Sequence, residues 1–477
     1  MLWIDDNFPS ESDGNRPSLL DRINRVLKNF LPLPPPAKLL SDYPMKRPTM
    51  IKYLALLIWA ALAVATGVAA DPKNDTLSWP QFRGPSGQGH VDGIIPRTWG
   101  EGKNVAWKTP LAGKGWSSPV VAGGKAWVTT AVPMGGGGLS LRVVGVDLQS
   151  GEIKHDVELF AVAKPPPLHA RNTPASPTPA VVGNRVVASF GSDGVGCVDA
   201  ATGKVLWRND TLKVKYETGP GSSPVPYKDR VILPCDGTDA QFVVALDVAT
   251  GEVAWKTDRP AAAKKSGNER RAFSTPLLIT VDKQEQVVIP GAQCVYSYDP
   301  ENGKQLWRVT YTGFSNVLRP VFANGLVYVS SGYFAHEMMA IRPDGRGDVT
   351  ASHVTWRYKK GVPNISSPVI VGGLLFMVAD QGTATCLDAK TGEPKWTERL
   401  PGTYSASLLV RGDTIYAFGD DGKATLFNAA DAFEQVGRNE LAGRIQATPA
   451  AAGNGLLVRT ETALYLLSEA KSPGGKK

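Results

Sequence analysis

The chain is poor in cysteine and in charge. Its 477 residues include four cysteines, a number that excludes a disulfide-dense scaffold. No C-x-x-C-H sequence occurs, which excludes a covalently attached c-type haem. Charged residues make up 20 % of the chain, and the net charge of +8 is spread along it without the basic runs that mark nucleic-acid binding. We therefore expect no nucleic-acid partner.

Long helices are also disfavoured, because 50 glycines and 37 prolines interrupt the chain. Hydrophobic residues nevertheless make up 42 % of it, and it contains 12 tryptophans, 13 tyrosines and 14 phenylalanines. This composition excludes a disordered protein and predicts a large core.

One apolar run, from Tyr53 to Val68, follows three basic residues and precedes small ones. That order is typical of a secretory signal peptide, which we place at residues 45–70. A membrane anchor is the alternative, although the run has 16 residues and a spanning helix needs about 20. We expect a periplasmic or secreted protein, or an anchored one that faces the periplasm.

Three further segments flank the main part of the chain. Residues 1–44 are predicted to be a disordered extension, or to result from a translation start placed too far upstream. Residues 71–104 are predicted to be a lead-in segment, and residues 468–477 a disordered tail.

A short pattern recurs between these segments. It consists of an apolar strand, an aspartate, a glycine four residues later, and usually a tryptophan that begins the returning strand. The aspartate side chain caps such a hairpin turn, and glycine accepts a positive φ without a steric penalty. His155 replaces the tryptophan of the first copy, and Val436 that of a degraded one. The four full copies are Asp199, Gly203 and Trp207; Asp247, Gly251 and Trp255; Asp299, Gly303 and Trp307; and Asp388, Gly392 and Trp396.

A second marker lies between these copies, a small residue that precedes proline at the start of an apolar strand. Proline cannot donate within a sheet, so it belongs at the first residue of a strand. Eight such positions occur, with arginine at one and no proline at another: Ser118, Thr178, Ser223, Thr275, Arg319, Ser367, Ser407 and Thr448. The 363 residues from Val105 to Leu467 then give about 45 per unit, the size of a four-stranded propeller blade.

The sequence therefore predicts an all-β, eight-bladed β-propeller of four-stranded antiparallel blades over residues 105–467, with seven blades as the alternative. A ring of sheets exposes its ends unless one terminus pairs with the other. We expect the strand around Trp107 to complete the final blade, whose own last strand lies at residues 463–467.

The repeat A-x-D-x-x-T-G-x-x-x-W resembles the tryptophan-docking repeat of the pyrroloquinoline-quinone (PQQ) propeller superfamily. That superfamily includes quinoprotein dehydrogenases, which hold PQQ and calcium at the axis, and cofactor-free outer-membrane assembly factors of the BamB type. The segments WPQFRGPSGQGH from Trp79 and GKGWSSPVV from Gly113 resemble exported bacterial PQQ-like repeat proteins named BamB-like. In the dehydrogenases a disulfide between adjacent cysteines covers the quinone, and no two cysteines are adjacent here. The resemblance thus implies a propeller without a cofactor.

Polar residues precede the innermost strands, where a propeller presents its central pocket. One interpretation is an anion or sugar-like ligand bound by Arg319 and Arg271, and the alternative is that the channel is polar because water fills it. His336 with Glu337, and Asp236 with Asp239, give only weak metal signals. The candidate pocket residues are Arg319, Arg271, Asn172, Glu217, Asn364, Tyr404 and Gln446.

We expect a non-catalytic binding or scaffolding protein of the bacterial envelope, acting as a monomer on protein partners and resembling BamB in outer-membrane protein assembly. No catalytic residue and no cofactor is predicted. The alternative is a quinoprotein-type oxidoreductase that binds PQQ and calcium at the propeller axis.

Overall fold

The computed structural model describes residues 78–259 and 267–469. The predicted N-terminal extension, the predicted signal peptide and nearly all of the predicted C-terminal tail lie outside the described residues. The helical elements within these ranges are 3₁₀ turns at Gly135–Gly137, Gly191–Asp193 and Gly267–Arg270. No described helix is long and apolar enough to cross a membrane.

Eight antiparallel sheets follow one another and form the ring of an eight-bladed propeller, which confirms the predicted fold and blade number. Strand β1 (Val105–Pro110) comes first in the chain but belongs to blade 8. Blade 1 consists of β2 (Val120–Ala122), β3 (Lys125–Pro133), β4 (Leu139–Asp147) and β5 (Ile153–Val162). Blade 2 consists of β6 (Ala180–Val182), β7 (Arg185–Ser189), β8 (Val195–Asp199) and β9 (Val205–Asn209). Blade 3 consists of β10 (Val225–Tyr227), β11 (Arg230–Asp236), β12 (Gln241–Asp247) and β13 (Val253–Asp258). Blade 4 consists of β14 (Leu277–Val281), β15 (Gln284–Gly291), β16 (Cys294–Tyr298) and β17 (Gln305–Thr310).

The second half of the ring repeats this order, with one short strand added. Blade 5 consists of β18 (Val321–Ala323), β19 (Leu326–Ser330), β20 (Met338–Ile341) and β22 (Val354–Tyr358). Blade 6 consists of β23 (Val369–Val371), β24 (Leu374–Val378), β25 (Thr383–Asp388) and β26 (Pro394–Arg399). Blade 7 consists of β27 (Leu409–Arg411), β28 (Thr414–Phe418), β29 (Lys423–Asn428) and β30 (Gln435–Glu440). Blade 8 consists of β31 (Ala450–Ala452), β32 (Gly455–Arg459) and β33 (Ala463–Ser468), together with β1. The added strand, β21 (Gly347–Asp348), runs parallel to β17 of blade 4.

The first and the last strand of the described residues close the ring. Strand β1 pairs antiparallel with β33, and Trp107 lies opposite Leu466. The predicted closure is therefore confirmed, and the last blade obtains its fourth strand from the N-terminal side of the propeller. Because β1 and β33 pair with each other, the first and last strands do not leave the ring open.

Neighbouring blades are joined by the repeat tryptophans. The indole Nε1 of Trp207 donates to Val248 O at 2.8 Å, in the third-to-fourth-strand turn of the next blade, and that of Trp255 donates to Pro300 O at 3.0 Å. Trp107, Trp356 and Trp396 make the same bond to the following blade at 3.0 Å. The repeat glycine lets the ring approach, since a Cβ added at Gly251 would lie 2.5 Å from the Trp207 ring.

Two junctions achieve this docking by other means. His155 stacks on Trp127 at 5.5 Å, and its Nε2 lies 3.2 Å from Ala201 O, where an indole nitrogen would otherwise bind. Trp307 instead donates to Gln286 Oε1 at 2.8 Å, and the Gln286 amide donates to Pro343 O of blade 5 at 3.0 Å. Gln286 thus extends the reach of Trp307 to the lengthened turn of blade 5.

The junction of blades 7 and 8 lacks a tryptophan for a topological reason. Blade 8 has no turn between its third and fourth strands, because the fourth strand comes from the N-terminal side. The strand register places Gly437, rather than the predicted Val436, at the tryptophan position, opposite Leu426 as Trp396 lies opposite Cys386. An indole there would have no such turn to dock on. The lead-in segment covers the neighbouring strand instead: Trp99 stacks on Phe418 at 5.8 Å, and its amide donates to Asn439 Oδ1 at 2.9 Å.

The hydrophobic core lies between the blades rather than at the axis. Most clusters of buried side chains join two neighbouring blades, and the largest joins blades 7, 8 and 1 with Trp79 and Trp99 of the lead-in segment. All four cysteines are free and buried, as expected for small core residues: Cys197, Cys235, Cys294 and Cys386. Burial raises the pKa of the Cys235 thiol to about 12, so this thiol is neutral at physiological pH.

Alanine substitution of two turn glycines separates backbone strain from tryptophan docking. Gly251 and Gly183 have φ of +78° and +56°, so each alanine variant loses about 1–2 kcal/mol of stability to the left-handed backbone. Only at Gly251 does the added methyl group also displace Trp207, since Gly183 has open space around it. We expect G251A to lose at least about 1 kcal/mol more than G183A in equilibrium unfolding. Equal losses would contradict the docking role of the glycine.

Candidate functional site

A chain of hydrogen bonds connects the blades around the axis. At six of the eight junctions, the residue that precedes the innermost strand donates its backbone N–H to the hydroxyl of the equivalent residue in the next blade. Thus Ser118 N donates to Thr178 Oγ1 at 2.9 Å, and Thr178 N donates to Ser223 Oγ at 3.0 Å. The same bond continues from Ser223 to Thr275, from Arg319 to Ser367, from Ser367 to Ser407, and from Ser407 to Thr448. The small residue of the marker therefore serves as a hydroxyl acceptor.

Arg319 interrupts this chain because it has no hydroxyl. Another bond joins blades 4 and 5 there, from Ser274 Oγ to Leu318 O at 2.6 Å. The Arg319 side chain is buried and binds the lead-in segment. Its Nη2 donates to Gln81 Oε1 at 2.8 Å, and its Nη1 donates to Phe82 O. Arg319 is thus the residue through which blade 5 holds the lead-in segment.

Residues 79–91 of the lead-in segment close one end of the axis. Their backbone joins blades on several sides, since Val121 N donates to Trp79 O at 2.9 Å and Val91 N donates to Val410 O at 2.9 Å. Arg83 is fully buried and donates to Pro368 O at 2.6 Å and to Leu408 O at 3.2 Å. The sequence WPQFRGPSGQGH therefore forms a plug against blades 1, 2, 5, 6 and 7.

Burial of Arg83 in the plug and of Arg319, which binds the plug, is energetically demanding. It lowers the pKa of Arg83 to about 9, and that of Arg319 to about 9 with a smaller contribution from the charge of Arg83. Both guanidinium groups remain protonated at neutral pH, and they donate to backbone carbonyl oxygens and to one side-chain amide oxygen. The charges are therefore held by dipoles of the plug and of the blade backbones.

An axial cavity of about 320 Å³ lies above the plug. Phe82 of the plug lines it, and all eight links between consecutive blades contribute side chains, including Trp116 on the link from blade 8 to blade 1. Six hydroxyls of the inter-blade chain also line it: Ser118, Thr178, Ser223, Thr275, Ser407 and Thr448.

Three of the seven predicted pocket residues line the cavity: Asn172, Arg271 and Gln446. Arg271 is half-buried, and its guanidinium donates to Asn268 Oδ1 at 3.1 Å and to Ser315 Oγ at 3.4 Å. The Nε2 atom of Gln446 is buried and has no hydrogen-bond partner among the described residues. These three positions, on three different links, thus lie at one cavity.

The other four predicted residues do not line it. Glu217, Asn364 and Tyr404 each stand one residue from a lining residue, so their side chains point elsewhere in the link. Asn364 is bound by Asp380, and Tyr404 is buried with its hydroxyl donating to Pro401 O at 3.1 Å. The expectation that Arg319 binds a ligand in the pocket is corrected, because its guanidinium is occupied by the plug.

The sequence also missed lining residues that the structure brings in from a distance. The long, proline-containing segment between β5 and β6 contributes His169 and Arg171 to the cavity lining. Arg171 reaches blade 7, where it donates to Ser405 Oγ at 2.9 Å and pairs with Asp420 at 3.3 Å. A proline-rich insertion gives no signal of such a contact.

The cavity lining does not fit calcium and a quinone. None of the described residues that line it is an aspartate or glutamate, whereas calcium sites are built largely from carboxylates and alcohol oxidation needs a base. The described ranges hold no group of three His, Cys, Asp or Glu side chains suited to a metal. Of the weaker metal candidates, Asp236 pairs with buried Arg259 at 2.7 Å and Glu337 pairs with Arg357.

Comparison with known proteins places these features in a family. The family model described as outer membrane protein assembly factor BamB matches residues 99–209, 143–349 and 344–471. A curated relative, outer membrane protein assembly factor BamB of Bordetella pertussis, is 26 % identical over 298 residues, which cover 59 % of this chain and 69 % of the relative. Tetrathionate hydrolase of Acidithiobacillus ferrooxidans is 24 % identical over 208 residues, 41 % of this chain and 39 % of that enzyme.

Solved structures show the same fold at low identity. BamB from Moraxella catarrhalis matches with a TM-score of 0.53 and 14 % identity, covering 78 % of this chain and 99 % of that structure. The quinohemoprotein alcohol dehydrogenase from Comamonas testosteroni matches with a TM-score of 0.56 and 13 % identity, covering 84 % and 82 %. Because similar folds occur in an assembly factor and in an enzyme, the fold by itself does not assign a function.

Substitution of Arg319 tests its role in holding the plug. In R319M the acceptors at Gln81 and Phe82 lose their donor inside the protein, so we expect a loss of about 1–3 kcal/mol in unfolding free energy and faster proteolysis of residues 79–91. The exposed Arg399 on β26 provides the control R399M, which should change stability by no more than about 0.5 kcal/mol. An R319M protein as stable and as protease-resistant as R399M would contradict this role.

Proposed function

Because the chain belongs to the PQQ-like propeller family described as outer membrane protein assembly factor BamB, we propose that it is an exported, non-catalytic scaffold of the bacterial envelope. In this proposal it contributes to outer-membrane protein assembly, as the name of its Bordetella relative states for that protein. It acts as a monomer and binds protein partners through its surface.

An exposed aromatic cluster, formed by Phe314, Tyr333 and Phe334, is the observation that carries this proposal. Phe314 lies 5.8 Å from Tyr333 and 6.4 Å from Phe334 between ring centroids. Tyr333 is 55 % exposed and Phe334 is 74 % exposed. A contiguous exposed aromatic surface of this kind is typical of a protein interaction site, where such side chains supply much of the binding energy.

The two loops that carry the cluster hold each other in place. Phe314 and Tyr333 form a pair of backbone hydrogen bonds, and Asn316 donates from its side chain to Ser330 O at 2.8 Å. Phe334 adopts φ of +79°, a left-handed conformation that is unfavourable for a bulky side chain. Strain at an exposed residue on anchored loops supports a functional role for that side chain.

The chemistry of the axial cavity supports the same proposal. Its lining offers hydroxyls, two amides, arginines and aromatic rings rather than the carboxylates that calcium and alcohol oxidation require. The alternative quinoprotein function would need those groups from outside this lining.

Removal of the aromatic cluster should impair outer-membrane assembly. We expect a strain that lacks the protein to contain less folded outer-membrane β-barrel, and the intact chain to restore it. The variant Y333S/F334N should fail to restore it, since it removes both exposed rings while asparagine tolerates the left-handed backbone. The folded fraction is measured by heat-modifiable mobility of the barrels, and thermal unfolding checks that the variant is folded.

The matched control replaces an exposed apolar residue far from the cluster. Leu206 on β9 is 40 % exposed, and L206S should restore assembly fully. Full restoration by Y333S/F334N would contradict a role for the cluster. Reduction of an artificial electron acceptor by the purified chain supplied with PQQ, calcium and alcohols would instead support the oxidoreductase alternative.

A further inference from the structure

A scaffold that binds its partners through its outer surface does not use the axial cavity. Its volume of about 320 Å³ lies within the range of small-molecule sites, about 300–1,000 Å³. Its lining residues are separate from the aromatic cluster of Phe314, Tyr333 and Phe334. An inference about this cavity therefore does not rest on the proposed function.

The six hydroxyls of the inter-blade chain that line the cavity can still donate a hydrogen bond. All are at least nine-tenths buried, and five of them accept a backbone N–H from the preceding blade. An N–H uses only one lone pair of a hydroxyl oxygen, so each group keeps its own hydrogen for a further bond. None of these hydroxyls donates to another group within residues 78–259 and 267–469. Their hydrogens thus remain available to acceptor oxygens in the cavity.

Further donors surround these hydroxyls. Arg271 donates to two neutral acceptors, Asn268 and Ser315, and these hydrogen bonds leave its positive charge unneutralised. Arg171 adds a second guanidinium, although this one is shared with Asp420. The buried Nε2 of Gln446 lacks a partner in the described part of the chain. A ligand that satisfies this lining must be rich in acceptor oxygens and negatively charged.

Aromatic faces form the remaining walls. Trp116 and Phe273 come from two links between blades, and Phe82 comes from the plug. Arg444 lies over the Trp116 ring at 5.9 Å, which fixes the orientation of the indole. Flat apolar faces of this kind suit the C–H surface of a sugar ring, whose edge carries hydroxyls that both accept and donate.

We propose that the axial cavity binds a small sugar acid, such as a hexuronate. The sugar ring packs against the aromatic walls, its hydroxyls bond to the hydroxyls of the inter-blade chain, and its carboxylate pairs with Arg271. Neutral sugars satisfy the first two interactions only, and acids without hydroxyls satisfy only the last. Selectivity for a molecule that has both features is the expected signature of this site.

Calorimetric titration of the full chain with glucuronate, glucose and benzoate tests the proposal. We expect glucuronate to bind about tenfold or more tightly than either glucose or benzoate. R271M should weaken glucuronate binding by about tenfold or more and leave glucose binding within about twofold, because only the carboxylate contact is lost. The control R399M alters an exposed arginine on β26 and should bind all three probes as the unaltered chain does.

Three outcomes would overturn the proposal. One is no binding of glucuronate at about 10 mM by protein whose thermal unfolding is normal. Another is equal affinity for glucuronate and benzoate, which would indicate a site for anions in general. The third is unchanged glucuronate affinity in R271M. None of these outcomes bears on the aromatic cluster, whose test uses barrel assembly.

Discussion

The architecture depends on the bond between a tryptophan of one blade and the turn of the next. An indole N–H that donates to a buried turn carbonyl satisfies two polar groups at once, while the ring covers the glycine of that turn. This single contact fixes both the distance and the rotation between two sheets. Where the indole is missing, the His155 ring lies against the same turn, and where that turn is longer Gln286 extends the reach of Trp307. A polar ring or relay therefore meets the turn at these junctions, and tryptophan is its commonest form.

The sequence was informative about this contact because each of its parts is local. Asp247, Gly251 and Trp255 stand within nine residues of each other, so the hairpin, its cap and its positive φ can all be predicted from adjacent residues. Repetition of the pattern then predicts the number of blades, and the position of Trp107 predicts the closure. These predictions were confirmed because propeller contacts join consecutive units, whose order in space is their order in the chain.

The plug and the cavity could be predicted only in part, because they depend on contacts between distant residues. Arg319 was recognised as unusual, but its partners Gln81 and Phe82 lie more than 200 positions away, and nothing in the repeat indicates that they meet. The links between blades were correctly identified as the segments that converge on the axis. Which side chain of a link faces the cavity depends on irregular backbone, and a displacement of one residue separates Tyr404 from the lining residue Ser405.

The two faces of the propeller are subject to different constraints. In each meandering blade, the turns that receive the tryptophans lie at the opposite end of the strands from the links that line the cavity, so a residue in a link can change without disturbing the docking contacts. A family defined by its docking repeat can therefore carry different chemistry at the axis. This separation accounts for the likeness of one fold to an assembly factor and to an alcohol dehydrogenase. For this chain, the informative residues are consequently those outside the repeat: the aromatic cluster on the loops of blades 4 and 5, and the donors that surround the axial cavity.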